Sequence, residues 1–361
     1  MKKILLLTFI SLLILPLFAQ NINTYDLLKT FLTNNPDSIQ QFNTSDYFEM
    51  NTDFVNNFYY SNHKLNKIEV KYKNNSKQKK LLKYLNSQFG APFADQNNNP
   101  YWIKDGFKFL AKKDLIEISA VRFSDQGKLD MPENVFVLDF KKMPVYANDT
   151  VQDVYILGTK KDWDSPFWSN VWIYIDEGFG VNEMLYMFQS PHDSAYQPRL
   201  DFIHLLDINT PDIMISSPTG GSGGILNLII FSAKDGRPFV HYDSERDKNL
   251  LFTGKLLDNY LAEITFPDSS KTVLDLKNRK KFYKEYNVYT DNKLNKPVEI
   301  WGTQIVKYEI GAKNSDGLQN LILLQETRGF ANIDRFALIT SELSLNKENK
   351  WSVLSRKIKK Y

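Results

Sequence analysis

From Val154 to Ser355 the chain is written in short apolar or alternating runs, among them Val154 to Leu157, Val171 to Ile175, Ile213 to Ser216, Ile225 to Phe231, Leu321 to Gln325 and Ala337 to Leu345. Turn residues close each run. Period-two alternation over stretches this short buries one face of a strand, and it leaves little room for the three-to-four-residue spacing of an amphipathic helix. Phe282 to Tyr289 reads as one more strand, and well-capped helices are absent. The segment is thereby confined to sandwich, barrel or propeller architectures.

The region before it is built differently. Thr24 can cap a short helix with Leu27, Leu28, Phe31 and Leu32 on one face, stopped by Asn34-Asn35-Pro36. A second helix is expected from Ser76, with Leu81, Leu82, Leu85 and Phe89 as its stripe and Gly90 and Pro92 as its stop. The lysines that crowd this region, from Lys64 to Lys83, read as a solvated helix face with its approach strand. Strands follow at Tyr101 to Ile103, Phe107 to Leu110, Leu115 to Phe123 and Val135 to Phe140, and Asp105-Gly106 is the strongest hairpin signal. The expected organisation is an α+β domain over residues 20–145 followed by an all-β domain over 146–361, β-propeller-like or otherwise multi-sheet. The boundary falls where Pro144 and Asn148-Asp149-Thr150 interrupt the pattern.

Residues 1–19 have the order of a cleavable signal peptide: Lys2 and Lys3, an apolar run from Ile4 to Phe18, then Ala19 before Gln20. The run is short for a membrane span and no later run replaces it. The expected location is extracytoplasmic: periplasmic, secreted or at the cell surface. The chain has no cysteine, which excludes disulfides and thiolate metal sites. A net charge of +3 singles out no partner and gives no reason to expect nucleic acid. No cofactor is expected.

Three segments of the second half, Val154-Tyr155-Ile156-Leu157-Gly158-Thr159-Lys160, Asp164 to Asn170 and Ser217-Pro218-Thr219-Gly220-Gly221-Ser222-Gly223-Gly224, resemble secreted bacterial proteins with VCBS or FG-GAP-like repeats. So does the later order of Lys296-Pro297-Val298-Glu299, Asn314-Ser315-Asp316-Gly317 and a closing Trp351 strand. The resemblance covers about the last 210 residues. It implies propeller blades, sometimes with calcium loops, and no particular activity.

The loops depart from that pattern. Calcium needs six or more hard oxygens gathered by a tight turn. Asp207, Asn209 and Asp212 flank Pro211 without an Asp-Gly turn, while Asn314 and Asp316 sit between Ala312-Lys313 and Asn320, where acids would be needed. Both are expected to act as polar connections without a tightly bound metal.

Gly220-Gly221-Ser222-Gly223-Gly224 satisfies the pattern of a nucleophile elbow, which requires a helix next. Ile225 to Phe231 is instead a strand that returns through Lys234-Asp235-Gly236, so the glycines are assigned to close approach or positive φ. A secreted hydrolase using Ser222, with His241 and Asp243 or Asp258, or using a carboxylate pair such as Asp162 with Asp164 or Asp176 with Glu177, is the alternative reading. His63, His192, His204 and His241 are the four histidines, and none pairs with another at metal-ligand spacing.

Trp163, Phe167, Trp168, Trp172, Tyr174 and Phe179 crowd one short region. Trp172 and Tyr174 alternate along a strand as core residues do, whereas Trp163 and Trp168 adjoin Asp162, Asp164 and Pro166. Those two tryptophans are the ligand-binding candidates, for a protein or a glycan. The expected function is a non-catalytic binding or structural module.

Overall fold

A computed structural model describes residues 54–61, 64–72, 75–121, 134–148, 150–160, 165–177, 184–188, 192–221, 223–247, 250–300 and 304–361. The expected signal segment, the helix at Thr24, His63, Asp162, Trp163, Asp164 and Ser222 lie outside the described residues. Two compact units emerge. One holds the described residues up to Phe140 with Leu157–Ser169, the other Lys141–Ile156 with Asn170–Tyr361.

The first unit contains β1 (Phe54–Ser61), β2 (Lys64–Tyr72), α1 (Asn75–Phe89), β3 (Phe93–Ala94), β4 (Pro100–Lys104), β5 (Phe107–Ala111), β6 (Leu115–Ala120) and most of β7 (Val135–Met143). Its strands run in the order β1-β2-β6-β5-β4-β7, with β3 beside β4. Helix α1 starts at Asn75, one residue before the expected cap, and buries Leu81 and Leu85 completely. It stops at Gly90, whose φ of +82° is open to a residue without Cβ. The carbonyl left over there accepts the indole N–H of Trp102 at 3.0 Å. Asp105 and Gly106 both take positive φ and close a two-residue hairpin between Lys104 and Phe107. The expected helix and strands are therefore present, but β7 returns to pair with β4 instead of β6, so the four strands do not form the expected meander.

The second unit continues through β8 (Gln152–Thr159) and β9 (Trp168–Asp176), whose ends at Leu157–Thr159 and Trp168–Ser169 belong to the first, and then β10 (Met184–Met187) and β11 (Ser194–Ala195). Next come β12 (Arg199–Ile203), β13 (Asp212–Pro218), β14 (Leu226–Ser232) and β15 (Phe239–Asp243), an antiparallel sheet in chain order. Strands β16 (Thr253–Leu257), β17 (Leu261–Thr265) and β18 (Lys271–Asp275) form a second sheet. Helix α2 (Lys280–Glu285) and the hairpin of β19 (Tyr289–Thr290) and β20 (Lys293–Leu294) follow. The last sheet is β21 (Ile305–Lys313), β22 (Gln319–Arg328), β23 (Arg335–Leu345) and β24 (Trp351–Lys360), leaving β24 as an outer strand.

This last sheet organises the unit because one face of it serves two cores. On β23 the alternation places Ala337, Ile339, Leu343 and Leu345 on the same side. Ala337 and Ile339 pack with Leu256, Ile264, Tyr283 and Val298, whereas Leu343 and Leu345 pack with Met214, Leu228, Ile230 and Tyr242. Each fully buried side chain of this kind contributes roughly 1.5–3 kcal/mol.

Two expectations are revised. Among the described residues the strands form several antiparallel sheets, with no closed barrel and no propeller. The chain is mostly β and multi-sheet. Phe282 to Tyr289 is not a strand: α2 places Phe282 and Tyr286 one turn apart, with ring centroids at 5.0 Å, and buries Tyr283.

Candidate functional site

The residues that the sequence offers as site candidates are dispersed. Trp168 is 3% exposed, with its ring 5.7 Å from Phe136 and the Lys160 ammonium 4.7 Å above it. Gly106 leaves space for the ring, since a Cβ there would lie 3.3 Å from Trp168 Cη2, and a Cβ at Gly158 would lie 3.3 Å from Trp168 Cβ and 2.8 Å from Leu138 Cδ1. This tryptophan is core and offers no face to a ligand, which corrects its assignment as a stacking platform. Its partner in that assignment, Trp163, is outside the described residues.

The loop acids hold turns. Asp207 accepts the N–H groups of Asn209 and Thr210 and meets Lys234 at 2.5 Å, and the Lys234 contact above all holds its carboxyl below the usual range. Asp212 lies elsewhere, 3.1 Å from His241 Nε2. Asn314 Oδ1 accepts the N–H groups of Asp316 and Leu318, with Gly317 at φ +77°. The same five-residue turn recurs at Asp95 to Asn99 and at Asn346 to Lys350, with Asn98 and Asn349 in the positive-φ position. A side-chain oxygen that mimics a backbone acceptor accounts for the Asn- and Asp-rich sequence of all three. The structure thus gives the Asn314 segment a hairpin role. Among the described residues no group of three or more histidines and acids could hold a metal ion.

The glycine run also has a local reason. Gly220 and Gly224 take φ of +75° and +64°, and the Gly223 carbonyl receives the Arg328 guanidinium, which a Cβ at Gly223 would approach to 2.8 Å. Arg328 is 1% exposed. The acids offered as partners for a His241 base are likewise engaged. His192 meets Asp243 at 2.8 Å, and although burial opposes its ionisation, Asp243 is held well below the ordinary carboxylate range by His192 and Arg246. Asp258 accepts the Leu294 N–H. Asp176 is buried, and Glu177 accepts from Asn148 and Thr150.

His241 bridges Asp212 and the turn residue Asn349, and its backbone carbonyl accepts the Trp351 indole. Burial opposes its charge, but the bonds to Asp212 and Asn349 prevail and raise its pKa above the ordinary 6.5. A raised histidine stabilises the fold fully below the unfolded-state value, and that contribution is lost as pH rises through the folded-state value. The melting temperature of the protein is therefore expected to fall as pH is raised upward from 6.5, and the His241→Gln variant is expected to lack that fall. Identical pH profiles for the two would refute the assignment.

One concave surface among the described residues is built by α2 and the chain after β20. A cleft of about 560 Å³ is lined by Tyr286, Asn287 and Val288 on one side, Asn295 to Glu299 on another, and Gly329 with Phe330. Its volume is in the range of ligand pockets, roughly 300–1,000 Å³. Tyr286 is 47% exposed and its ring lies 5.4 Å from that of Phe330. The walls are fixed from behind. Arg279, at the start of α2, meets the fully buried Asp334 at 3.1 Å; Asp334 also accepts the Phe330 N–H, and its carbonyl accepts from Gly329. Asn295 Nδ2 bonds both oxygens of Asn287. On the strip from Pro297 to Ile300 exposure alternates: Val298 and Ile300 are buried and Pro297 and Glu299 exposed. Leu256 N–H bonds Val298 O and Ile300 N–H bonds Gly254 O, which adds the strip to β16. That approach requires Gly254, since a Cβ would lie 2.8 Å from Ile300 Cδ1 in the strip, and 2.6 Å from the Glu263 carbonyl on β17. A second cleft of about 660 Å³ shares Pro297, Val298 and Glu299 with the first and is lined further by Phe252, Leu256 and Glu263.

Fold and cleft together define a mostly β, multi-sheet chain whose open concave surface lies in its C-terminal part. That part has relatives. Residues 250–359 match the family model of the YybI C-terminal domain, which takes in the whole of the cleft. The chain is similar to an uncharacterized protein YybI of Bacillus subtilis (strain 168), 22% identical over 205 residues, or 56% of this chain and 77% of that protein. No solved structure matches. The match is to a YybI-type domain, and nothing in it supports the repeats that the sequence resembles.

Proposed function

We propose that the chain is an extracytoplasmic, non-catalytic binding module and that its ligand enters the cleft between α2 and the Lys296–Ile300 strip. One observation carries the reading: a half-exposed aromatic ring, Tyr286, lines a ligand-sized cleft and packs against Phe282 and Phe330, the latter tied to the buried Asp334. Large aromatic rings exposed beside a concavity contribute area at little entropic cost when their backing is fixed. The Lys2, Lys3 and Ala19 order supports export with a mature start at Gln20. The repeat resemblance, with its propeller blades, is compatible with a binding role but adds no residue to this site.

The test is co-sedimentation of the purified mature protein with cell-wall, membrane and protein fractions of its source. Retention on one fraction is expected, reduced about tenfold or more by Tyr286→Ala at unchanged melting temperature. Equal retention of both proteins would sink the reading. So would turnover in a hydrolase-substrate screen that disappears in Ser222→Ala.

A further inference from the structure

The strip from Pro297 to Ile300 is a strand with one side used. Its antiparallel bridge of Glu299 to Lys255 employs Val298 O and Ile300 N–H, and this turns the N–H and C=O of Glu299 away from β16. Among the described residues those two groups have no partner. An unpaired donor and acceptor on one residue of a strand edge is the element that an extended chain adds to. Here the edge belongs to residues that line the aromatic cleft.

We propose that the cleft takes an extended peptide segment of another protein, which pairs with the main chain of Glu299 and seats an apolar or aromatic side chain on Tyr286 and Phe330. The inference rests on the reading of this cleft as the binding site and names its ligand class. Three features favour a peptide. The free backbone pair is matched by another backbone, the rings match an apolar side chain, and Lys296 with Glu299 places both charge signs at the rim, as a mixed-charge chain requires. In strand addition the main chain supplies affinity, and the side chains that fall into pockets supply selection.

The design of the test uses the idle N–H. Glu299→Pro removes a donor that the fold does not use, and proline is tolerated on an edge strand. Synthetic peptides enriched from a phage-displayed random library would be titrated by fluorescence anisotropy against the full chain and its variants. Binding is expected to be about tenfold weaker in Glu299→Pro than in Glu299→Ala, which loses the same rim charge but keeps the backbone donor, the difference being one good hydrogen bond. Tyr286→Ala is expected to abolish it. The same peptide N-methylated at alternate amides is expected to lose binding to the unaltered protein, which decides the matter if Glu299→Pro does not fold. Unchanged affinity of both Glu299→Pro and the N-methylated peptide, with loss in Tyr286→Ala, would overturn strand addition and leave the cleft as the site. Oligosaccharides retained on a glycan array in a Tyr286-dependent way, with no peptide enriched, would overturn the ligand class alone. Peptide binding indifferent to Tyr286→Ala would remove both proposals.

Discussion

Asp334→Ala is expected to lower stability by about 3–5 kcal/mol, the range for removing one partner of a buried ion pair. Asp334 has no exposed surface, meets Arg279 at 3.1 Å and accepts the Phe330 N–H at 3.2 Å. Burial pushes its carboxyl up against the pull of Arg279, so the charge is a strained one and its deletion is not the whole cost. The larger loss comes from the groups left behind, a guanidinium and an amide without acceptors. Asp334→Asn keeps an acceptor of the same shape and is expected to cost clearly less. Gly329 belongs to the same contact, because a Cβ there would stand 2.0 Å from the Asp334 carboxylate. Urea denaturation of the two Asp334 variants measures the difference. Equal midpoints for Ala and Asn would show that the acceptor contributes nothing.

Arg328→Ala is expected to cost about 3 kcal/mol by the same logic. The Arg328 side chain donates to Glu326 at 2.9 Å, to Asn332 at 3.2 Å and to the Gly223 carbonyl, and so ties three chain segments through one planar group. Glu326 also meets Arg335 at 3.4 Å and the Tyr361 hydroxyl, which softens the loss relative to Asp334. Lysine carries the charge without the fork and cannot reach three acceptors in one plane. Arg328→Lys is therefore expected to recover less than half of the lost stability, again by urea denaturation. Full recovery by lysine would show that charge alone matters at this position.

The strands were legible where alternation was regular. Leu321 to Gln325 and Ala337 to Leu345 became the centre of the last sheet, and Asp105-Gly106 turned where its pair of residues permits positive φ. Helix α1 was legible from Leu81, Leu85 and Gly90. Helix α2 was not, because it has no side-chain cap and its aromatic residues also satisfy a strand pattern. Without α2 the cleft could not be foreseen: Tyr286 looked like a strand residue, and Lys296-Pro297-Val298-Glu299 entered only as part of the repeat resemblance. The signal that could have found the strip is the alternation of Pro297 and Glu299 with Val298 and Ile300. Trp168 illustrates the opposite limit. Its chemistry was plain, but burial depended on Gly106 and Phe136, which are distant in sequence and carry no local mark of the contact.

The outer position of β24 has a consequence for the protein in concentrated solution. A ten-residue strand with one open side is a template on which a second copy could stack, and its exposed Val353 and Leu354 would reward that stacking. Lys357 and Lys359 stand exposed further along the same strand, so two copies aligned edge to edge would bring like charges together at strand spacing. Repulsion between those lysines opposes such pairing. It is weakest where salt screens it or where acetylation removes the charge.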